Sequence, residues 1–590
     1  MKIIFVNIFL FCIIHSGISQ TPVYKTGFPI VIDSNRSPYQ KAGLPLITDF
    51  EKDGQKEIIF FTIDYFGITN PNYLYVTNND GSNYPNFPKG YNELILDVNS
   101  GDVDGDGFLD IVLRFSFSFD VIDRFGNHLP GFPVNYSDGE FTPLRPINIY
   151  DLDNDGKLEI IVSKKGELSV FNYNGTLRQG WPRYIPGSTK TNAAIGDIDN
   201  DGIAEIIAAT VRKIPTGGSD SSALRIFREN GENFSNEWPV YSDSLYENSG
   251  ASPTLIINRN FTDSTYILMS TKRTNIGGIS NNRLTKFNIY GQIIDRGYAN
   301  VLNGLGTIVI GDLDRDGKPE YSNGAQGDPY LLLYSNELVK LSGWPNEGVG
   351  EHWATPLIGK LTHSNNLNVT DNNWSAFAPN GFGNVFAYNK DGSPLPWSPL
   401  RPEGIVEGIA LSDIDNNGSV ELIATSSKGY ETYIDKNGSV GLTTTSSKRI
   451  ATYLHIWSLD GIPFSHENFP WSMYGHDRYR TNQYGFIPPD EPVGILPISN
   501  NVPDKFSLYQ NFPNPFNPTT NIKFDLINSG NVSLKIYDAL GREISTLVNE
   551  RLNIGTYQIV FDGNNFTSGI YFYSIETENF RETKKFILLK

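Results

Sequence analysis

A single cysteine, Cys12, occurs in 590 residues, and it lies within the first twenty. Everything after it is therefore without a disulfide or a thiolate metal site. Nucleophile elbows, zinc-protease helices, Walker loops and dinucleotide fingerprints are all missing. Positive charge is also short: 47 Lys and Arg stand against 65 Asp and Glu, a net charge of −18. That balance excludes nucleic acid and an anionic membrane surface as partners. The one long apolar run, Ile3 to Ile14 after Lys2, is shorter than the ~20 residues that a helical span needs. With the small residues Gly17-Ile18-Ser19 behind it, it reads as a signal peptide over 1–19, so the mature chain is expected to start at Gln20 with no transmembrane span. Such a protein is exported.

What the chain does have is Gly, Pro and aromatics: 56 Gly, 35 Pro and 13% Phe, Trp and Tyr. That composition predicts many short strands and turns rather than helices. The stretch Gly101-Asp102-Val103-Asp104-Gly105-Asp106-Gly107-Phe108-Leu109-Asp110-Ile111-Val112-Leu113 reads as a metal loop feeding a strand. Asp102, Asp104 and Asp106 offer hard oxygens at alternate positions, Gly107 permits the turn, and Asp110 closes the cage. The same spacing opens loops that lead into helices, but the β-branched run that follows here favours a strand.

Variants recur with a period near fifty residues, the mark of a repeat array. They are Asp49, Glu51, Asp53 and Glu57; Asp151, Asp153, Asp155 and Glu159; Asp197, Asp199, Asp201 and Glu205; Asp312, Asp314, Asp316 and Glu320; and Asp413, Asp415, Asn417 and Glu421. Each has Gly at its sixth position (Gly54, Gly107, Gly156, Gly202, Gly317, Gly418). With no His or Cys among the ligands, the expected cofactor is Ca²⁺, four to six ions. Twenty-three carboxylates lie in these six loops, so six bound ions would leave a net charge of about −6. The Pro319-Glu320-Tyr321 start predicts a poor strand. Glu51 and Asn417 make the Asp49 and Asp413 loops the least regular.

A second marker pairs an aromatic residue with Pro after a hairpin, as in Gly180-Trp181-Pro182, Gly343-Trp344-Pro345, Phe87-Pro88, Phe132-Pro133, Trp238-Pro239 and the reordered Pro396-Trp397. This marker counts eight units. Two of them have lost the loop carboxylates, at Asn258–Asp263 and at Lys360-Leu361-Thr362, and are expected to keep their strands without metal. Short-stranded units at this period bury their faces by radial packing, which predicts a seven- or eight-bladed β-propeller over 20–485. Gly27-Phe28-Pro29 has no unit before it, and Phe469-Pro470-Trp471 has no loop after it. One end therefore completes the blade begun at the other, tying the ring shut.

These loops resemble those of FG-GAP or VCBS-type repeats, the calcium-bearing propeller repeats also found in integrin α-subunits. The resemblance implies structural Ca²⁺ in the blades and a non-catalytic surface that binds a protein or glycan partner. Some calcium propellers similar to it are polysaccharide lyases, so enzymatic activity stays open as the alternative. No catalytic or organic-cofactor residue is assigned. The pair His476-Asp477 could orient a base, but it reads first as a polar latch. Trp353 and Trp374 read first as blade core and second as sugar platforms. Ser426–Ala451 and Ser364–Gly383 exceed the repeat spacing and are expected to emerge as partner-binding loops.

From Ile487-Pro488-Pro489 the composition turns Pro-rich, and 486–502 reads as a linker without strand pattern. Over 503–590 apolar residues alternate at Ile522, Phe524 and Leu526; Val532, Leu534 and Ile536; Tyr571, Tyr573 and Ile575; and Phe586 and Leu588. That pattern predicts a small Ig-like β-sandwich. Tyr509-Gln510-Asn511-Phe512-Pro513-Asn514-Pro515-Phe516-Asn517-Pro518-Thr519-Thr520, Ile536-Tyr537-Asp538-Ala539-Leu540-Gly541-Arg542, Gly569-Ile570-Tyr571 and Lys584-Lys585-Phe586 are similar to the C-terminal sorting domain of the type IX (Por) secretion system of Bacteroidota and related phyla. The resemblance implies recognition by that machinery, passage through the periplasm and arrival in the medium or on the outer cell surface.

Overall fold

A computed structural model describes residues 22–589 apart from scattered segments, the longest at 137–146, 186–192, 213–220, 257–264, 345–355, 361–373, 444–450 and 489–495. Residues 1–21, on which the signal-peptide expectation falls, and Trp353, His352, His363 and His466 lie outside the described residues. The described residues form strands and turns without a helix, and none of their segments is a helix long and apolar enough to cross a membrane.

Among the described residues between Val23 and Tyr484, eight sheets of three or more strands follow one another along the chain, each with a short inner strand: Leu46–Thr48, Ile95–Gly101, Ile147–Tyr150, Ala194–Gly196, Thr254–Ile256, Leu305–Gly311, Leu357–Lys360 and Ile405–Ser412. Ladders run antiparallel by chain order, as in Ile95–Gly101 to Asp110–Phe115 to Ser118–Ile122 to Val134–Asn135. Short connections leave antiparallel hairpins as the pairing each unit can reach. The apolar runs Ile58-Ile59-Phe60 and Ile111-Val112-Leu113 are wholly buried because both faces of each sheet pack on neighbouring sheets. Inner strands lie side by side: Leu46–Thr48 touches both Ile95–Gly101 and Ile405–Ser412, and the seventh sheet's Trp374–Pro379 touches Ile405–Ser412. The array is thus a closed β-propeller.

Closure follows the pattern expected from the two orphan markers. The last sheet, Ile405–Ser412, Ser419–Lys428 and Ala451–Pro463, is completed by N-terminal strands, with Val23 opposite Ser458, Tyr24 opposite Trp457 and Ile30 opposite Leu454.

The aromatic-Pro marker has a structural cause. Trp181, Trp238 and Trp344 are buried, and each indole N–H donates to a carbonyl in the hairpin of the next sheet: Glu229 at 2.9 Å, Ile289 at 3.0 Å and Lys390 at 2.7 Å. Before Trp181 and Trp344 the close approach of that hairpin also requires a glycine, whereas Glu237 precedes Trp238. At Gly180 φ is +91°, and a Cβ would stand 2.0 Å from the Asn230 carbonyl oxygen; Gly343 meets Asp391 in the same way.

The chain after the last sheet runs along the ring's inner strands. The Leu411 N–H donates to Ser472 O, Ile149 to Tyr479 O (3.3 Å) and Ile195 to Thr481 O (3.0 Å), and Gln483–Tyr484 pairs in parallel with Thr254–Ile256. The Asn148 side-chain amide donates to Arg480 O at 2.5 Å. This segment fills the axis with buried polar groups.

Three expectations are corrected. Glu320–Ala325 is a regular strand paired on both sides; Pro319 sits just before it, where no ladder N–H is required. Trp374 is the first residue of the strand Trp374–Pro379, opposite Lys360, so it and Phe377 belong to a sheet and not to a protruding loop. Among the described residues of Ser426–Ala451, the hairpin Glu431–Ile434 with Val440–Thr443 stands as a separate two-stranded sheet. Its neighbours extend Ser419–Lys428 and Ala451–Pro463.

The C-terminal module is a sandwich of two four-stranded antiparallel sheets, and the alternating residues named above form its core. It begins earlier than the linker reading allows: Leu496–Ser499 pairs with Gly555–Asp562. Pro497 hid this strand, and it is tolerated because the strand is an edge.

Candidate metal centres

Each acidic loop joins an inner strand to the second strand of its sheet. In the Asp102 loop, Gly101 and Asp110 are cross-strand partners, so the closing carboxylate starts the second strand beside the loop's entrance. Asp110 accepts the Val103 N–H at 3.0 Å and Asp102 accepts the Gly107 N–H at 2.9 Å. The same two bonds recur at Glu159 with Leu152 and Asp151 with Gly156, at Glu205 with Ile198 and Asp197 with Gly202, and at Glu421 with Ile414 and Asp413 with Gly418. The fifth-position residue caps the turn instead: Asp106, Asp155, Asp201 and Asn417 each accept the N–H two residues on. An amide oxygen does this as well as a carboxylate, which explains Asn417.

Ligand atoms of positions one, three and nine converge within 4.8 Å in four loops: Asp102, Asp104 and Asp110; Asp151, Asp153 and Glu159; Asp197, Asp199 and Glu205; and Asp413, Asp415 and Glu421. Convergence of acids alone proves nothing, but two further features suit a cation. Glu205 Oε1, Glu421 Oε1 and Asp415 Oδ1 are buried without a hydrogen-bond donor. Burial also pushes Asp110, Glu205 and Glu421 up to about 8 and Glu159 to about 7, with a backbone N–H opposing it and the other loop carboxylates adding to it. In Glu159 the guanidinium of Arg178, at 3.3 Å, also pulls down. An all-oxygen, mutually repelling set of this kind fits a hard divalent ion.

The Asp49 loop keeps the backbone bonds, from Phe50 N–H to Glu57 and from Gly54 N–H to Asp49, but it is not among the converging groups. Glu51 is bound by the Tyr84 hydroxyl and lies 3.9 Å from Arg124. In the Asp312 loop, Asp314 and Asp316 lie outside the described residues; Glu320 is buried, 3.6 Å from Lys390.

Sequence reading missed the cations that enter these loops. Arg178 reaches Asp153 at 3.0 Å, Arg228 reaches Asp199, Asp201 and Glu205 at 3.5–3.7 Å, and Lys25 pairs with Asp415. Arg178 follows its hairpin turn, Arg228 precedes one, and Lys25 comes from the opposite end of the chain, so no fixed spacing reveals them. The His476-Asp477 pair belongs to a buried hydrogen-bonded group. His476 Nδ1 is 2.9 Å from Asp477, both are buried, and Asp477 also accepts the Tyr479 N–H and the Thr481 hydroxyl.

Residues 151–208 match an FG-GAP-like repeat and residues 510–589 match the secretion system C-terminal sorting domain. A search of curated proteins finds no match. Among solved structures, rhamnogalacturonan lyase YesW has a TM-score of 0.43 at 13% identity, covering 78% of this chain and 82% of that one. The V. cholerae biofilm matrix protein Bap1 has 0.38 at 10%, covering 77% and 94%. A rhamnogalacturonan lyase of Bacillus licheniformis has 0.34 at 13%, covering 79% and 80%. Scores at this level transfer no activity. The chain is thus an all-β protein that carries an FG-GAP-like repeat within its propeller and ends in a type IX secretion sorting domain.

Proposed function

We propose that this protein is a calcium-stabilised propeller that binds a protein or glycan partner without transforming it, on the outer cell surface or in the medium. Its domains are 20–485 for the propeller and 503–590 for the sorting domain, with Leu496–Ser499 of the intervening 486–502 serving as an edge strand of the latter. Each of the eight sheets is one blade. The four converging acidic loops hold Ca²⁺, and the Asp49 and Asp312 loops raise the number to six when they fill. Ions in such loops serve structure, because their carboxylates also tie the turn to the strand.

The observation that carries the non-catalytic reading is the burial of His476. It is 7% exposed and bound to Asp477, which argues against its serving as a base toward a polymeric glycan. A glycan array and a pull-down with the mature protein, with and without Ca²⁺, test the reading. Calcium-dependent capture of an unaltered ligand is the expected result. Release of unsaturated products from pectic or other uronic glycans, seen as near-ultraviolet absorbance, would replace this reading with a polysaccharide lyase.

A further inference from the structure

The two outer faces of the C-terminal sandwich differ in chemistry. On the sheet of Thr519–Leu526 and Gly555–Asp562, Asn521, Lys523 and Asp525 alternate with the core residues Ile522, Phe524 and Leu526. That polar face is ordinary for an antiparallel sheet with one side in water. On the other sheet the core takes Ile536, Tyr573 and Phe586, and the residues between them on the strands are Tyr537, Phe572 and Ile587. Tyr537 stands opposite Phe572, Phe572 opposite Lys585, and Ile570, 47% exposed, opposite Ile587. Lys535 sits one outward step along from Tyr537. Ile570 is exposed and Tyr537, Phe572 and Ile587 are half-buried, so a partly exposed apolar stripe beside two lysines lies on the outward face.

Charge marks what covers it. Residues 503–590 hold nine acidic and nine basic side chains, so the excess of −18 lies entirely upstream. Within the sheet, Glu576 stands opposite Arg581 at the far end and cancels it, and Glu543 stands opposite Tyr537, which leaves the apolar end with two lysines against one carboxylate. An apolar centre with a cationic flank fits a protein surface of the reverse kind, an apolar patch edged by carboxylates.

We propose that the face carrying Tyr537, Ile570, Phe572 and Ile587, with Lys535 and Lys585, is the surface by which a protein of the secretion machinery recognises this domain. The proposal rests on the sorting-domain reading and adds the face and the partner's chemistry to it.

The protein is produced in a type IX-competent host as five versions: wild type, deletion of 503–590, Phe572→Ser with Ile587→Ser, Lys535→Glu with Lys585→Glu, and Lys523→Glu. Surface and medium fractions are compared with periplasm, and each purified chain is melted. The expected result is at least tenfold periplasmic accumulation of both double variants, with the charge-reversed protein melting like wild type, and no change for Lys523→Glu on the polar face. Normal delivery of a folded charge-reversed variant overturns the proposal, as does equal loss for Lys523→Glu. Binding of the purified protein to anionic phospholipid vesicles, lost in the charge-reversed variant, also overturns it in favour of a membrane. Normal delivery of the deletion shows instead that the sorting reading itself fails.

Discussion

Tyr24 stacks on Trp457 at a centroid distance of 4.9 Å and an angle of 26°, and its hydroxyl lies 3.1 Å from His455 Nδ1. Two residues from opposite ends of the propeller thus close one sheet. Burial pushes His455 down to about 4, so the stack stays uncharged across the physiological range. Tyr24→Ala should cost about 1 kcal/mol through the lost ring contact. Removal of Val23 to Asp33 should cost far more, since it exposes the outer edge of Ala451–Pro463. Calorimetry on the two variants checks the order, and equal melting of wild type and the deletion would refute closure by these strands.

Calcium should raise the melting temperature, and EGTA should lower it. For a site with Kd of ~0.1 mM, about 2 mM Ca²⁺ adds about 1.8 kcal/mol by mass action. A transition indifferent to EGTA would rule the metal reading out.

The pH dependence without metal has a definite sign. Asp110, Glu205 and Glu421 are raised to about 8 in the folded state, so the folded protein holds protons that the unfolded chain has released. That stabilisation is complete below the ordinary carboxylate range and is lost as pH rises through about 8. In EGTA the melting temperature should therefore fall between pH 6 and pH 8.5. With Ca²⁺ the trend should flatten or reverse, because the ion binds the deprotonated form. Titrations at both pH values, following proton release, measure this.

Arg178 competes with the metal in the Asp151 loop. Arg178→Ala should tighten that site by on the order of tenfold, since a guanidinium near the ligands repels a divalent ion. Terbium luminescence on the variant, with Arg124→Ala as control, reads the change. An affinity unchanged or weakened would mean that Arg178 organises the loop.

Two glycines separate steric from conformational cost. Gly180→Ala places a Cβ against Asn230 O and should destabilise by about 2–3 kcal/mol. Gly156→Ala meets nothing within 4 Å, and its φ of +84° alone should cost about 1 kcal/mol. Equal costs in chemical denaturation would remove the blade-to-blade contact as the reason for the glycine-aromatic-Pro marker.

Periodicity, alternation and loop chemistry were legible because they are local. The repeated Asp-x-Asp-x-Asp-Gly turn, the strand after it and the sandwich core at Ile522, Phe524 and Leu526 depend on neighbours within a dozen residues. Even ring closure could be read, since Phe28 and Phe469 each carried half of a recurrent unit. Leu496–Ser499 was hidden because a strand containing Pro is permitted only at an edge, and no local signal says where an edge will be. Tertiary packing alone decided that Arg178, Arg228 and Lys25 would enter the acidic loops, because charges from separate segments meet only after the sheets stack. It likewise decided that Ser472 to Tyr484 would fill the axis: Asn148 and Arg480 are 332 positions apart, and only the ring's own curvature brings them into contact.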